Sequence, residues 1–210
     1  MVTARVKKYL DSIGISKLRP AQQKAVDAGV LSGSNVLICT PTASGKTLVA
    51  ELAIQEMLAN NKKSVYVVPL KALASEKLRG FTNRMSARVA MSISDYDSSE
   101  QSLQEADVII VTAEKLDSLL RHHVSWLSRV GLVVVDEIHL LNDISRGPTL
   151  EMLLTMLRRL IKPQIVGLSA TIGNPQELAD WLDAKLVEDD WRPVRLDKGV
   201  YLDGKIDFSQ

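Results

Sequence analysis

This 210-residue chain lacks long apolar runs, cysteine pairs and a surplus of either charge. No stretch approaches the roughly 20 apolar residues that a membrane-spanning helix needs, and Met1–Gly14 lacks the apolar block of a secretory leader. No membrane association is therefore expected. A single cysteine, Cys39, has no partner for an internal disulfide, which excludes a disulfide-stapled scaffold and fits a reducing cytoplasm. Lys plus Arg total 26 against 25 Asp plus Glu, so the chain has no overall attraction for a polyanion, and any nucleic-acid binding must come from a local patch. Aromatics are scarce at 4%, but 46% hydrophobic and 24% charged residues are the composition of a globular chain able to bury one substantial core. Internal repeats, low-complexity tracts and long flexible linkers are also missing.

The chain instead alternates short apolar runs with longer amphipathic ones. Strands are expected at Asn35–Cys39, Ser64–Val68, Arg88–Ile93, Asp107–Val111, Gly131–Val135 and Gln164–Leu168. Helices are expected at Pro20–Ala28, Lys46–Ala59, Leu70–Met85, Lys115–Arg121, Thr149–Leu160 and Pro175–Leu182. Runs such as Val65-Tyr66-Val67-Val68 and Leu132-Val133-Val134-Val135 are apolar on both faces, as parallel strands covered by helices are. The alternation predicts an α/β fold, a mostly parallel β-sheet with helices on both faces. Asn174-Pro175-Gln176-Glu177 reads as an N-cap, a proline in the first turn and a capping-box glutamate. The segment from Glu188 to Gln210 has no helical pattern and reads as an exit strand.

Thr40-Pro41-Thr42-Ala43-Ser44-Gly45-Lys46-Thr47 lies between a predicted strand and a predicted helix. Such a loop curls backbone N–H groups around phosphate oxygens, and the helix N-terminus adds its positive dipole end. Gly45 admits close backbone approach, Lys46 reaches the terminal phosphates of ATP, and the Thr47 hydroxyl suits Mg²⁺. Thr40 stands where the strict pattern has glycine, so the loop alone is also compatible with a capped helix start and a solvated lysine. Some ninety residues on, Gly131–Val135 delivers Asp136 and Glu137 to the carboxyl end of a strand, where open α/β sheets bind ligands. Asp136 is placed to hold Mg²⁺, and Glu137 to orient and deprotonate an attacking water. Paired acids can also simply end a strand in solvent; the upstream loop argues against that.

Asp136-Glu137-Ile138-His139 is a DExH box, and Ser169-Ala170-Thr171 follows the next strand. With Thr40–Thr47 these segments resemble the superfamily 2 helicases, from about Leu18 to Gly199. The resemblance implies a RecA-like domain. It further implies that Gln22, in Leu18-Arg19-Pro20-Ala21-Gln22, reads adenine, and that His139, Ser169 and Thr171 couple the ATP site to nucleic acid. Pro69, Lys71 and Ala72 resemble motif Ia, and Thr112 and Lys115 motif Ib, both contacts to the nucleic-acid backbone. As alternatives, Gln22 is a surface polar residue, Lys71 and Lys115 are solvated charges and Ser169 and Thr171 local caps.

A narrower resemblance, to archaeal Holliday-junction-migration type helicases related to the superkiller RNA helicases, rests on four segments. They are Asp95-Tyr96-Asp97-Ser98, Glu114–His122, Arg146-Gly147-Pro148-Thr149-Leu150-Glu151 and Trp191-Arg192-Pro193-Val194. It implies a monomeric 3′-to-5′ DNA helicase acting on single-stranded or forked DNA at branched or stalled forks. A superkiller-type RNA helicase and a non-catalytic ATP switch remain the alternatives. The expected organisation is a helical lead-in over 1–33, a RecA-like ATP-binding domain over 34–190 and a connector over 191–210. The connector would lead to a second RecA-like domain in cis, whose arginines complete the ATP site. Arg158 and Arg159 cannot be given that role from sequence. His122 and His123 lack metal-ligand companions, and Cys39 reads as a core residue.

Overall fold

The computed structural model describes residues 3–93, 96–97, 99–193, 199–202 and 204–208. Two helices, α1 (Ala4–Ser12) and α2 (Pro20–Asp27), precede β1 (Val36–Cys39) and α3 (Lys46–Ala59). Then follow β2 (Lys63–Val68), α4 (Lys71–Arg84), β3 (Val89–Ile93), β4 (Tyr96–Asp97), α5 (Glu100–Glu105), β5 (Val108–Thr112) and α6 (Ala113–Arg121). The chain continues through β6 (Val130–Val135), α7 (Gly147–Leu160), β7 (Gln164–Ser169), α8 (Pro175–Leu182) and β8 (Lys185–Glu188), and on to β9 (Gly199–Leu202) and β10 (Lys205–Phe208).

The main sheet has the order β4-β3-β5-β2-β6-β7-β1-β8. All its pairings are parallel except that of the short edge strand β4 with β3. Each strand feeds alternate side chains to opposite faces. Val36 and Ile38 of β1 enter the core under α1 to α4, while Leu37 and Cys39 enter the one under α5 to α8. The apolar strands therefore sit between two helical layers, the RecA-like arrangement that the two-sided hydrophobic runs predict.

Helix α3 is central and buried nearly all round, from Leu48 to Met57. A carboxylate lies within it. Glu51, 1% exposed, accepts hydrogen bonds from Tyr9 Oη at 2.9 Å and from Arg84 Nη1 at 3.1 Å, tying α1 and α4 to α3. The N-terminal helices thus share the core of the sheet.

Most expected elements form within a residue or two of their predicted ends. Helix α7 starts at Gly147 instead of Thr149, with Pro148 in its first turn. Gly147 itself is required, since a Cβ there would collide with the Leu141 carbonyl oxygen. Strand β8, parallel to β1, was not signalled because it is an edge strand that buries only Val187. In the terminal segment, β9 and β10 pair with each other as an antiparallel hairpin, where one exit strand was expected. Asp95, Ser98 and Val194, named among the resemblance segments, lie outside the described residues.

Burial raises the Glu51 pKa above its ordinary value, more than the Tyr9 hydrogen bond and the Arg84 charge lower it. The folded state then holds the Glu51 proton more tightly than the unfolded chain. The stabilisation from this group is complete below the unfolded value of 4.5 and is lost as pH rises through the higher folded value. Glu51→Gln should therefore make the fall in stability between pH 5 and pH 7 smaller than in the parent, measured by urea denaturation at both values.

Candidate nucleotide and nucleic-acid site

Strand register brings the motifs to one edge. Cys39 of β1 pairs with Ser169 of β7, Gly167 of β7 with Val135 of β6, Val135 with Val67 of β2, and Val68 with Thr112 of β5. Because these strands are parallel, the segments after Cys39, Ser169, Val135, Val68 and Thr112 all leave the sheet at its carboxyl edge. Backbone bonds hold the exits together: Thr40 N–H donates to Ser169 O at 3.3 Å, and Asp136 N–H to Val67 O at 2.9 Å.

The phosphate loop is braced from within and from α2. Thr40 and Ser44 are both buried and share a hydroxyl–hydroxyl bond of 2.8 Å. Thr40 thus fills the position of the pattern's first glycine with a side chain that ties the loop's two ends. Ala43 and Gly45 have φ of 66° and 93°, the left-handed backbone that anion-binding turns use. Lys46 Nζ donates back to Thr40 O at 2.7 Å and to Pro41 O at 3.3 Å. Burial lowers the Lys46 pKa, and the charges of Glu137 and Asp136 oppose that shift. Gln22 is buried and links α2 to the loop: its Nε2 donates to Gly45 O at 3.1 Å, and its Oε1 accepts from Arg19 N–H at 2.9 Å. Arg19 Nη1 donates to Ala43 O at 2.9 Å. Its guanidinium also lies 5.2 Å from the centroid of the Trp191 ring.

Opposite the loop, Asp136 Oδ2 accepts from Tyr66 Oη at 2.8 Å and pairs with Lys77 Nζ at 3.4 Å. Lys77 Nζ also donates to Thr47 Oγ1 at 3.2 Å. Burial, followed by the Asp136 charge, pushes the Tyr66 pKa well up, so the phenol is a donor. The Thr47 and Asp136 oxygens therefore reach a single cation, which is the fit a divalent metal would need from these two residues. Pro41 lies at the turn out of β1, and the residues Thr42–Thr47 with Leu73, Glu76, Lys77, Asp136 and Glu137 line a cleft of about 260 Å³.

Glu137 has φ 51° and ψ 44°, a left-handed conformation rare outside glycine, at the turn from β6 into a short 3-10 helix over Ile138–Asn142. Strained backbone of this kind concentrates at functional sites. The turn leaves the Glu137 side chain 40% exposed at the cleft, 3.3 Å from His139 Nδ1. That same nitrogen lies 3.4 Å from the Ala170 N–H. It can serve one partner at a time, accepting from Ala170 when unprotonated or donating to Glu137 when protonated. The link between the DExH box and the segment after β7 thus runs through the Ala170 backbone. The Ser169 side chain is fully buried beside the sheet, and Thr171 is exposed.

The motif Ia and Ib residues sit at the N-termini of α4 and α6, helices on opposite faces that follow the adjacent strands β2 and β5. Pro69 precedes α4, with Lys71 and Ala72 both exposed in its first turn. Thr112 caps α6, its hydroxyl accepting from Lys115 N–H at 3.4 Å. Arg158 is a packing residue: Nη1 donates to Trp181 O, and the guanidinium lies 5.9 Å from the centroid of that ring. Burial raises the Cys39 pKa, in keeping with its place in the core. Lys77, Tyr66 and Arg19 are site residues that the motif pattern did not signal. Lys77 could have been found, because it shares a helix face with the buried Ala74 and Phe81, where a charge is out of place.

A parallel sheet that presents a Gly-Lys-Thr loop and a strand-end Asp-Glu pair from one edge is a RecA-like P-loop domain. A family model described as DEAD/DEAH box helicase matches residues 19–178, and the chain belongs to that family. The chain is 53% identical over 206 residues to the ATP-dependent DNA helicase Hel308 of Pyrococcus abyssi (strain GE5 / Orsay). The match covers 97% of this chain and 28% of the relative. The protein of the same name from Caldivirga maquilingensis is 54% identical over 199 residues, covering 93% of this chain and 26% of that one. A crystal structure of the DUF1998 helicase MrfA bound to DNA superposes with a TM-score of 0.79 at 26% identity, over 90% of this chain and 30% of that one. The chain thus spans under a third of the length of these relatives. No helix among the described residues is long and apolar enough to cross a membrane.

Gly45 carries the tightest constraint in the loop. Besides its positive φ, a Cβ there would overlap Gln22 Nε2. Gly45→Ala should cost about 1–3 kcal/mol in urea denaturation. In a Gln22→Ala background it should cost about 1 kcal/mol less, because the Gln22 overlap goes and the backbone strain and a 3.3 Å approach to Arg19 Nη1 remain.

Proposed function

We propose that this chain is the first RecA-like motor domain of an ATP-dependent DNA helicase that moves 3′ to 5′ on branched or stalled forks. The observation that carries the reading is the convergence of Thr47 and Asp136 on one cation, with Lys46 and the strained Glu137 beside them. In this reading the loop amides of Thr40–Thr47 and the N-terminus of α3 hold the ATP phosphates, Lys46 pairs with their terminal oxygens, and Gln22 reads adenine. Thr47 and Asp136 hold Mg²⁺, which when bound neutralises charge on the phosphate oxygens. Glu137 orients the attacking water and accepts its proton.

His139 lies between Glu137 and the Ala170 amide and passes the state of the ATP site to the Ser169–Thr171 segment. Pro69, Lys71, Ala72, Thr112 and Lys115 contact the DNA backbone from the N-termini of α4 and α6, where helix dipoles favour phosphate. The relatives, named as DNA helicases, support DNA over RNA as the polymer.

Completion of the site falls to arginines of a second RecA-like domain in cis. Such an arginine contributes about 10³–10⁵ in rate. The 210-residue chain should therefore bind ATP, hydrolyse it very slowly and unwind no duplex. Single-strand-stimulated turnover by this chain, abolished by Lys46→Ala, would refute that arrangement. In the longer protein Glu137→Gln should keep nucleotide affinity and lose at least about 100-fold in ATP turnover. Comparing phosphate release with single-stranded DNA and with RNA tests the polymer.

A further inference from the structure

Lys77 is the charge on the buried face of α4. Ala74 and Phe81 flank it on that face, and its side chain is only 14% exposed. Its ammonium lies 3.2 Å from Thr47 Oγ1, 3.4 Å from Asp136 Oδ2 and 5.3 Å from the centroid of the Tyr66 ring. Tyr66 Oη donates to the same Asp136 oxygen at 2.8 Å. One cation is thus held by a hydroxyl, a carboxylate and a ring face. The hydroxyl and the carboxylate are the two groups assigned to the metal.

The geometry points to Lys77 as a resident cation of the metal position, which a divalent ion must displace. This inference rests on the nucleotide-site reading above. The physical reason is exclusion. A metal bound to Thr47 and Asp136 would stand in contact with the ammonium, and two cations that close repel strongly in a half-buried cleft. Metal loading therefore requires the Lys77 side chain to leave those two oxygens. The ammonium also balances the Asp136 carboxylate, whose side chain is 12% exposed, until a metal takes over that task. Lys77 is a positioning residue in this scheme, and its effect is on how much metal the site demands.

The test uses the whole 210-residue chain and a fluorescent ADP analogue, titrated with MgCl₂ at constant ionic strength and read by anisotropy. Lys77→Met keeps the apolar stem and removes the charge. It should lower the Mg²⁺ concentration for half-maximal ADP binding by about tenfold, with affinity at saturating Mg²⁺ little changed. Lys77→Arg keeps the charge and should stay near the parent. An unchanged Mg²⁺ requirement in Lys77→Met overturns the inference. So does a loss of ADP affinity at saturating Mg²⁺, which would make Lys77 a phosphate ligand.

Mg²⁺ alone supplies the second reading. Without nucleotide, the thermal midpoint of Lys77→Met should rise with MgCl₂ while that of the parent stays flat, and Asp136→Asn should cancel the rise. No rise in Lys77→Met overturns the inference even if nucleotide binds. The rise intact, with no ADP binding by the parent, overturns the nucleotide reading and leaves the Lys77 assignment standing. If Lys77→Met does not fold, Lys77→Gln replaces it, since its amide can still donate to both oxygens without carrying charge.

Discussion

The parallel register of β1, β7, β6 and β2 is the constraint on which the candidate site depends. Each of these strands ends at the same edge, and each end continues into a segment that carries a polar side chain. Side chains about ninety residues apart in sequence, such as Thr47 and Asp136, come within reach of one ammonium because β7 spaces β1 from β6. A slip of one residue in β6 would turn Val133 and Val135 to the wrong helical layer, so the two buried faces fix the register of the motifs along with the core.

Within that frame, charges are handled by mutual neutralisation. Asp136, Lys77, Tyr66 and Thr47 form one connected group, and Lys46 folds onto its own loop with the carboxylates of Asp136 and Glu137 nearby. A second group, Glu51 with Tyr9 and Arg84, does structural work by clamping α1 and α4 to α3. Both groups involve α4, so the helix that begins at the motif Ia residues is held to the phosphate-loop helix at two heights.

Much of the fold was legible in the sequence because two-sided apolar strands and amphipathic helices have different periods. Val65–Val68 and Leu132–Val135 became central strands, and Lys46–Ala59 became a helix with those bounds. Elements with little apolar content escaped: α5 buries only Leu103 and β8 only Val187. The expected exit strand became a hairpin because the partner of β9 is local, and local pairing is not visible from strand propensity alone.

The sequence by itself determined the chemical kit: a loop of Thr40–Thr47 between strand and helix, and Asp136 and Glu137 at a strand end. Spacing and residue type are local properties, and local chemistry reads them. Tertiary structure alone decided which groups meet. It set the Lys77 ammonium between Thr47 and Asp136, and it tied Gln22 to Gly45 O and Arg19 to Ala43 O. It also routed the contact of His139 through the Ala170 amide. These pairings depend on how α2, α4 and β7 pack against β1 and β6. Such packing is a property of the summed burial of many side chains, and no single segment encodes it.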